Sequence, residues 1–226
     1  MSTEESISPV KRSRREARET YDKLSAWYDL LAGSSERKYR LAGLDLLDAS
    51  EGEVLLEIGS GTGDALLKMG ETVTDAGRVV GTDISPAMCK EAAKKLQNSH
   101  RTQPVNLLCA DAVHLPVRDS IFDGIFMSFV LELFDTPDIP RVLDQCHRVL
   151  KPGGEIVVVG LDKSQKSGLV VRLYEWAHRQ FPSYVDCRPM YVGKSLETAG
   201  FLVTHDSQMS MWGLGVAVVR ARKSQA

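Results

Sequence analysis

No apolar run in this chain reaches the roughly 18 residues that a bilayer-spanning helix needs, so the sequence predicts a soluble protein, peripheral to a membrane at most. A leader peptide is not expected either, because Met1 is followed by Ser2, Thr3, Glu4 and Glu5 where a leader would carry basic and then apolar residues. Cysteine is scarce. Cys89, Cys109, Cys146 and Cys187 stand 20 or more positions apart with no Cys-x-x-Cys pair, which disfavours a disulfide framework and a zinc site and points to reduced thiols in the cytoplasm. No metal is expected. An excess of one charge is lacking too: 28 Lys and Arg against 30 Asp and Glu leave a net charge of -2, which gives no electrostatic reason to expect nucleic acid as a partner. No internal repeat is visible. What remains is a 226-residue chain, long enough for one domain, or a domain with an appendage, around a substantial core.

Residues 1–15 are polar and without periodicity, and read as a disordered arm. Its basic cluster, Lys11, Arg12, Arg14 and Arg15, reads as solvated charge rather than a lipid anchor, since so short a cluster contributes only about 1 kcal/mol per basic residue. Residues 16–50 read as an N-terminal helical cap, with helical apolar spacing over Glu16 to Leu31 and Glu36 to Leu47 and a break at Gly33-Ser34-Ser35. Residues 51–226 then alternate. Strands are expected at 53–58, 78–83, 105–109, 121–128 and 155–161, with helices from 63, over 86–98 and over 139–150. Ser85-Pro86 opens the second of these, Ser as the cap and Pro in the first turn. Further helices are expected at 168–181 and 191–199, and closing strands at 201–208 and 212–222. Such alternation means a parallel sheet covered on both faces, with ligands outside the C-terminal ends of its strands.

The segment Val54-Leu55-Leu56-Glu57-Ile58-Gly59-Ser60-Gly61-Thr62-Gly63 runs an apolar strand into an acid and then three alternate glycines. Glycine permits close approach of backbone to a small anionic or zwitterionic ligand, and a strand-turn-helix of this kind can aim amide N–H groups at it. A dinucleotide fingerprint wants glycine at the sixth position of the turn, where this chain has Asp64. Glu57, at the strand end, suits a cation rather than a pyrophosphate.

Glu57 to Gly63 resembles the first motif, E/D-x-G-x-G-x-G, of the class I S-adenosylmethionine (SAM) dependent methyltransferases, and three further segments fall in order. Val79-Val80-Gly81-Thr82-Asp83-Ile84-Ser85 ends a strand in an acid 20 residues after Gly63, Leu107-Leu108-Cys109-Ala110-Asp111-Ala112 ends one in Asp111, and Arg148-Val149-Leu150-Lys151-Pro152-Gly153-Gly154 is similar to the family's RVLKPGG turn before strand five. The resemblance implies a Rossmann-like, doubly wound, mostly parallel seven-stranded sheet with an antiparallel last strand. It implies SAM as cofactor and S-adenosylhomocysteine (SAH) as product. Asp83 would accept from the ribose hydroxyls and Asp111 from the adenine amino group, in a binding set of Tyr28, Glu57, Gly59, Ser60, Gly61, Gly63, Asp83, Ile84, Met88, Asp111, Ala112 and Phe129.

Two segments bear on the methyl acceptor. Tyr21-Asp22-Lys23-Leu24-Ser25-Ala26-Trp27-Tyr28-Asp29-Leu30-Leu31 is similar to the opening helix of the ubiquinone and menaquinone biosynthesis C-methyltransferases. The likeness implies Tyr28 at the reaction centre and Tyr21 at the acceptor; aromatics on an amphipathic helix also serve as core. After strand four, Ser128-Phe129-Val130-Leu131-Glu132-Leu133-Phe134-Asp135 lacks the Arg-Asn pair that the quinone-forming members usually carry and has Glu132. Glu132 reads as a base or as the anchor of a cationic acceptor, with an exposed position on a following helix as the plain alternative. Arg188 and Asp186, in a turn-rich stretch where the acceptor would enter, read as polar anchors or as a loop-pinning pair. His114 and His147 read as solvent-facing and structural, and Cys187 lacks a defined base. The apolar 168–181 helix packs on the cap, walls an acceptor pocket, or meets a membrane or a second subunit.

The function expected is SAM-dependent methylation, at carbon or nitrogen, of a small lipophilic or aromatic acceptor by a cytoplasmic monomer or homodimer with possible peripheral membrane contact. A phospholipid or small-amine N-methyltransferase is the alternative within the enzyme class, and a non-catalytic SAM-binding regulatory or partner protein the alternative outside it.

Overall fold

The computed structural model describes Asp22 and residues 34–99, 104–163 and 188–225. Helix α1 (Ser34–Leu47) leads into strand β1 (Val54–Ile58), α2 (Asp64–Val73), β2 (Arg78–Asp83), α3 (Pro86–Gln97) and β3 (Val105–Cys109). Then come β4 (Phe122–Ser128), α4 (Asp138–Val149), β5 (Leu150–Asp162), α5 (Val192–Thr198), β6 (Leu202–Met211) and β7 (Leu214–Arg222). The sheet has seven strands in the order β3-β2-β1-β4-β5-β7-β6. β1 pairs parallel with both β2 and β4, so strand order reverses there and leaves a crevice at the C-terminal ends of β1 and β4. β7 pairs antiparallel with β5 and with β6, which makes it the one strand among those described that runs against the others.

The central strands are largely apolar because both of their faces are covered. Leu55, Phe126, Val157 and Val159 point into one core with Leu66 and Met69 of α2 and Tyr39 of α1, while Leu56, Ile125, Met127, Ile156 and Val158 point into the other with α4 and α5. The second half of the expected cap, 36–47, is α1, and most of it is a layer of this sandwich. Tyr39 is buried, donates its hydroxyl to the Ser210 carbonyl at 2.5 Å and carries α1 onto β6. The first half, 16–31, lies outside the described residues except for Asp22, as do the 1–15 arm and the 168–181 helix.

Three boundaries differ from the sequence expectation. β5 begins at Leu150, directly out of α4, because Pro152-Gly153-Gly154 is carried inside the strand: Gly153 adopts φ +76° and hydrogen bonds link Gly153 and Gly154 to Lys223. Leu131–Leu133 form a short 3-10 turn in place of a helix. Trp212 leaves the strand it was assigned to and, with Gly213, makes the β6–β7 hairpin turn at φ +51° and +85°, the positive pair that a two-residue connection requires.

Candidate functional site

Gly59, Gly61 and Gly63 all take positive φ, at +71°, +50° and +88°. Their reasons differ. A Cβ on Gly59 would come within 2.3 Å of Val130 Cγ2, so packing of β1 on the chain after β4 requires glycine there; a Cβ on Gly61 would meet nothing within 4 Å. Gly61 thus borders open space at the strand ends. The expectation that the turn aims its amides at a ligand is corrected: Gly59 and Ser60 donate to the Thr82 carbonyl, Gly61 to the Asp83 carboxylate and Gly63 to the Ser60 carbonyl. Those N–H groups are consumed in holding the turn against β2, which leaves side chains to meet a ligand's polar groups. Asp64, at the sixth position, pairs with Arg40 at 2.8 Å and Lys95 at 2.7 Å and so ties α1 and α3 to the start of α2.

Glu57 is 4% exposed, and its Oε2 is buried without a hydrogen-bond partner. Burial holds its carboxyl well above the usual carboxylate range; Arg40 offsets part of this, and Asp83 and Asp64 add to it. Ser60 Oγ is buried and unpartnered as well. Orphaned buried polar atoms are costly, and these two belong to the end of β1 and the turn that leads to Gly61.

Asp83 ends β2 with both oxygens engaged by backbone, Oδ2 with the Gly61 amide at 2.9 Å and Oδ1 with the Ser85 amide at 2.8 Å. Desolvation raises its pKa, the Ser85, Gly61 and Ile84 amides oppose this, and Asp22 adds to the rise. Each oxygen keeps lone-pair capacity for a further donor. Met88 is buried in the first turn of α3 and Ile84 is half-buried beside Asp83. Asp111 caps the turn Ala112–His114 by accepting from the Val113 amide at 3.0 Å.

On the β4 side, Phe129 has φ +56°, an unusual conformation for a non-glycine residue, held by the hydrogen bond its amide N–H donates to the Val159 carbonyl at 2.7 Å. Its ring packs edge-on against Tyr39 at 6.1 Å, so the side chain belongs to the core and only its main chain stays at the strand end. Glu132 is fully buried, which overturns the exposed alternative. Its Oε1 accepts from the Leu161 amide at 3.0 Å while Oε2 is buried and unpartnered. A Cβ on Gly160 would fall 2.8 Å from Oε2, so the glycine in β5 makes the room for this carboxyl. Burial pushes the Glu132 pKa up to about 8 against the pull of its own and the Leu161 amides, with Glu36 raising it further and Arg188 lowering it. Arg188 is 1% exposed and donates to the Phe134 carbonyl at 2.6 Å and to Thr136 Oγ1 at 3.0 Å, pinning the chain that follows Glu132. Burial lowers its pKa, and Asp135 and Glu132 oppose that.

The described residues thus bring Glu57, Ser60, Gly61, Asp83, Asp111 and Glu132 to one end of the sheet. His114 is exposed, and His147 packs edge-on against Phe201 with ring centres 5.3 Å apart. Tyr21, Tyr28, Asp29, Asp186 and Cys187 lie outside the described residues. Sequence reading missed Asp22, Arg40 and Gly160, whose partners are distant in the chain; the glycine in an otherwise β-branched run was a usable sign of close approach at 160. Among the described residues no group of His, Cys, Asp or Glu suits a metal ion, and no helix is long and apolar enough to cross a membrane.

The fold is that of the Rossmann-like methyltransferases. A solved 1,6-didemethyltoxoflavin-N1-methyltransferase from Burkholderia thailandensis, with bound 1,6-didemethyltoxoflavin and SAH, superposes with a TM-score of 0.70 at 18% identity over 99% of this chain and 97% of that one. Residues 6–202 match the ubiE/COQ5 methyltransferase family, and the chain belongs to it. Among curated relatives, a demethylmenaquinone methyltransferase of Lactobacillus johnsonii is 29% identical over 73% of this chain and 65% of its own. A ubiquinone/menaquinone biosynthesis C-methyltransferase of Vibrio parahaemolyticus is 34% identical over 64% of this chain and 57% of its own. The chain therefore spans somewhat under two thirds of the length of these relatives.

Proposed function

We propose that the protein is a SAM-dependent methyltransferase that methylates a small, apolar, hydroxylated aromatic acceptor of quinol type. One observation carries this reading: Glu57 Oε2 and Ser60 Oγ, at the end of β1 and in the turn after it, are buried without partners, while Gly61 borders open space and donates its amide to the Asp83 carboxylate. Family membership and the names of the curated relatives support it, as does the SAH bound in the toxoflavin enzyme.

SAM supplies an electrophilic sulfonium methyl group when bound. Glu57 would take its ammonium, Ser60 its carboxylate and Asp83 the two ribose hydroxyls, with Ile84, Met88, Asp111 and Ala112 around the adenine. The protein's main task is then to align the acceptor and exclude water, since alignment alone can supply about 7 to 11 kcal/mol of the barrier. Glu132 would accept the acceptor's hydroxyl proton at Oε2, making the ring a better carbon nucleophile; the hydrogen on the methylated ring carbon then moves to the ring oxygen and restores the hydroxyl, and a base whose pKa lies near the working pH suits the first step. Tyr28 and Tyr21 would complete the acceptor side, in a cytoplasmic protein whose residues 51–226 bind SAM.

Asp83→Ala should weaken SAH binding by about 1.5 to 3 kcal/mol, the worth of hydrogen bonds to a charged group; calorimetry giving wild-type affinity would remove Asp83 from the site. For the reaction itself, protein incubated with methyl-labelled SAM and a cell extract should place label in the organic phase. Label confined to small aqueous amines would contradict the acceptor class.

A further inference from the structure

A hydrogen-bonded chain runs from the glycine turn to the N-terminal part of the protein. The Gly61 amide donates to Asp83 Oδ2 and the Ser85 amide to Asp83 Oδ1. Ser85, fully buried, caps α3 by accepting from the Met88 amide at 3.1 Å. Its hydroxyl donates to Asp22 Oδ1 at 2.5 Å, and the Ala87 amide reaches the same oxygen at 3.3 Å. Asp22 lies 63 residues before Ser85, so this is a long-range tie onto the first turn of α3, where unpaired N–H groups and the helix dipole favour a carboxylate.

We propose that Asp22 is a positioning residue for SAM, acting through Ser85. The Ser85 hydroxyl has one hydrogen. Committed to Asp22, that hydrogen does not compete for Asp83 Oδ1, whose remaining lone pair stays available to a ribose hydroxyl, while the hydroxyl oxygen stays fixed on the Met88 amide. Asp22 thereby holds the ribose acid and the adjoining helical turn in one arrangement and lengthens the stay of the cofactor. This rests on the reading of Asp83 as the ribose-binding acid.

The test measures SAH dissociation constant and off-rate for wild type, Asp22→Ala, Asp22→Asn, Ser85→Ala and the Asp22→Ala/Ser85→Ala double variant. Asp22→Ala should raise both quantities about tenfold, as for a lost hydrogen bond to a charged group, with the on-rate nearly unchanged. Asp22→Asn, whose amide oxygen accepts both hydrogen bonds, should stay within about twofold of wild type, and the double variant should be no worse than the poorer single one. A wild-type off-rate in Asp22→Ala, or an Asn variant as weak as the Ala one, overturns the role of Asp22 alone. Absence of SAH binding by the wild type overturns the cofactor reading beneath it.

Discussion

Glu132→Gln is expected to slow methyl transfer by about 100- to 10,000-fold, the range of a positioned acid-base group, while leaving SAH affinity intact. Glutamine keeps an oxygen for the Leu161 amide and nearly the same volume over Gly160, so the change removes the titration and little else. The wild-type rate should climb with pH and level off above about 8, because a base works only when ionised and burial holds Glu132 at about 8. The variant should lose that limb. Stability carries the same signature with its own sign. A carboxyl whose folded pKa lies above its ordinary value of 4.5 favours the folded state below that value, and the advantage is lost as pH rises through about 8. Wild type should therefore melt at progressively lower temperature from pH 5 to pH 9, and Glu132→Gln should show a flatter profile. An unchanged rate profile in the variant would take the base role from Glu132.

Gly61→Val is expected to abolish SAH binding with the fold retained. Nothing of the protein lies within 4 Å of a Cβ at this position, so the substitution does not press on the turn; it fills the space that the ligand is proposed to occupy. The positive φ of +50° adds strain for a β-branched residue, of order 1 to 3 kcal/mol, which should appear as a lower melting temperature. Gly59 would respond differently, because a side chain there collides with Val130 and the damage would be to folding itself. Calorimetry and thermal melts separate the two cases, and a Gly61→Val protein that binds SAH like wild type would mean that the turn is not the binding surface.

Much of this architecture is legible in the chain because the central strands are buried on both faces. Val54 to Ile58, Arg78 to Asp83 and Phe122 to Ser128 stand out as largely apolar runs closed by turn residues, and their bounds fall within a residue of those expected. The glycine spacing and the acids at the strand ends are local signals for the same reason. Burial set by partners far along the chain leaves no such trace. Glu132 looks like any carboxylate before a helix until β5 supplies the Leu161 amide and the gap at Gly160. Arg188 meets Phe134 and Thr136 more than fifty positions away, and Asp22 meets Ser85 across 63. The amides of the glycine turn, which the sequence offers to a ligand, are claimed instead by Thr82 and Asp83 of the neighbouring strand. Pro152-Gly153-Gly154 reads as a turn because its residue types favour one, yet hydrogen bonds to Lys223 carry it inside β5, with Gly153 at φ +76°.

The most direct test of the central claim is transfer of a deuterated methyl group from SAM to a chemically defined, reduced naphthoquinol lacking the ring methyl, read by mass spectrometry with position-resolved fragmentation. The account predicts a deuteromethyl group on the ring carbon beside the hydroxyl, formed by wild type and lost in Glu132→Gln and Gly61→Val. Tight SAH binding with no labelled product from this quinol or from any organic-phase extract would contradict it and make the protein a SAM-binding partner rather than a methyltransferase.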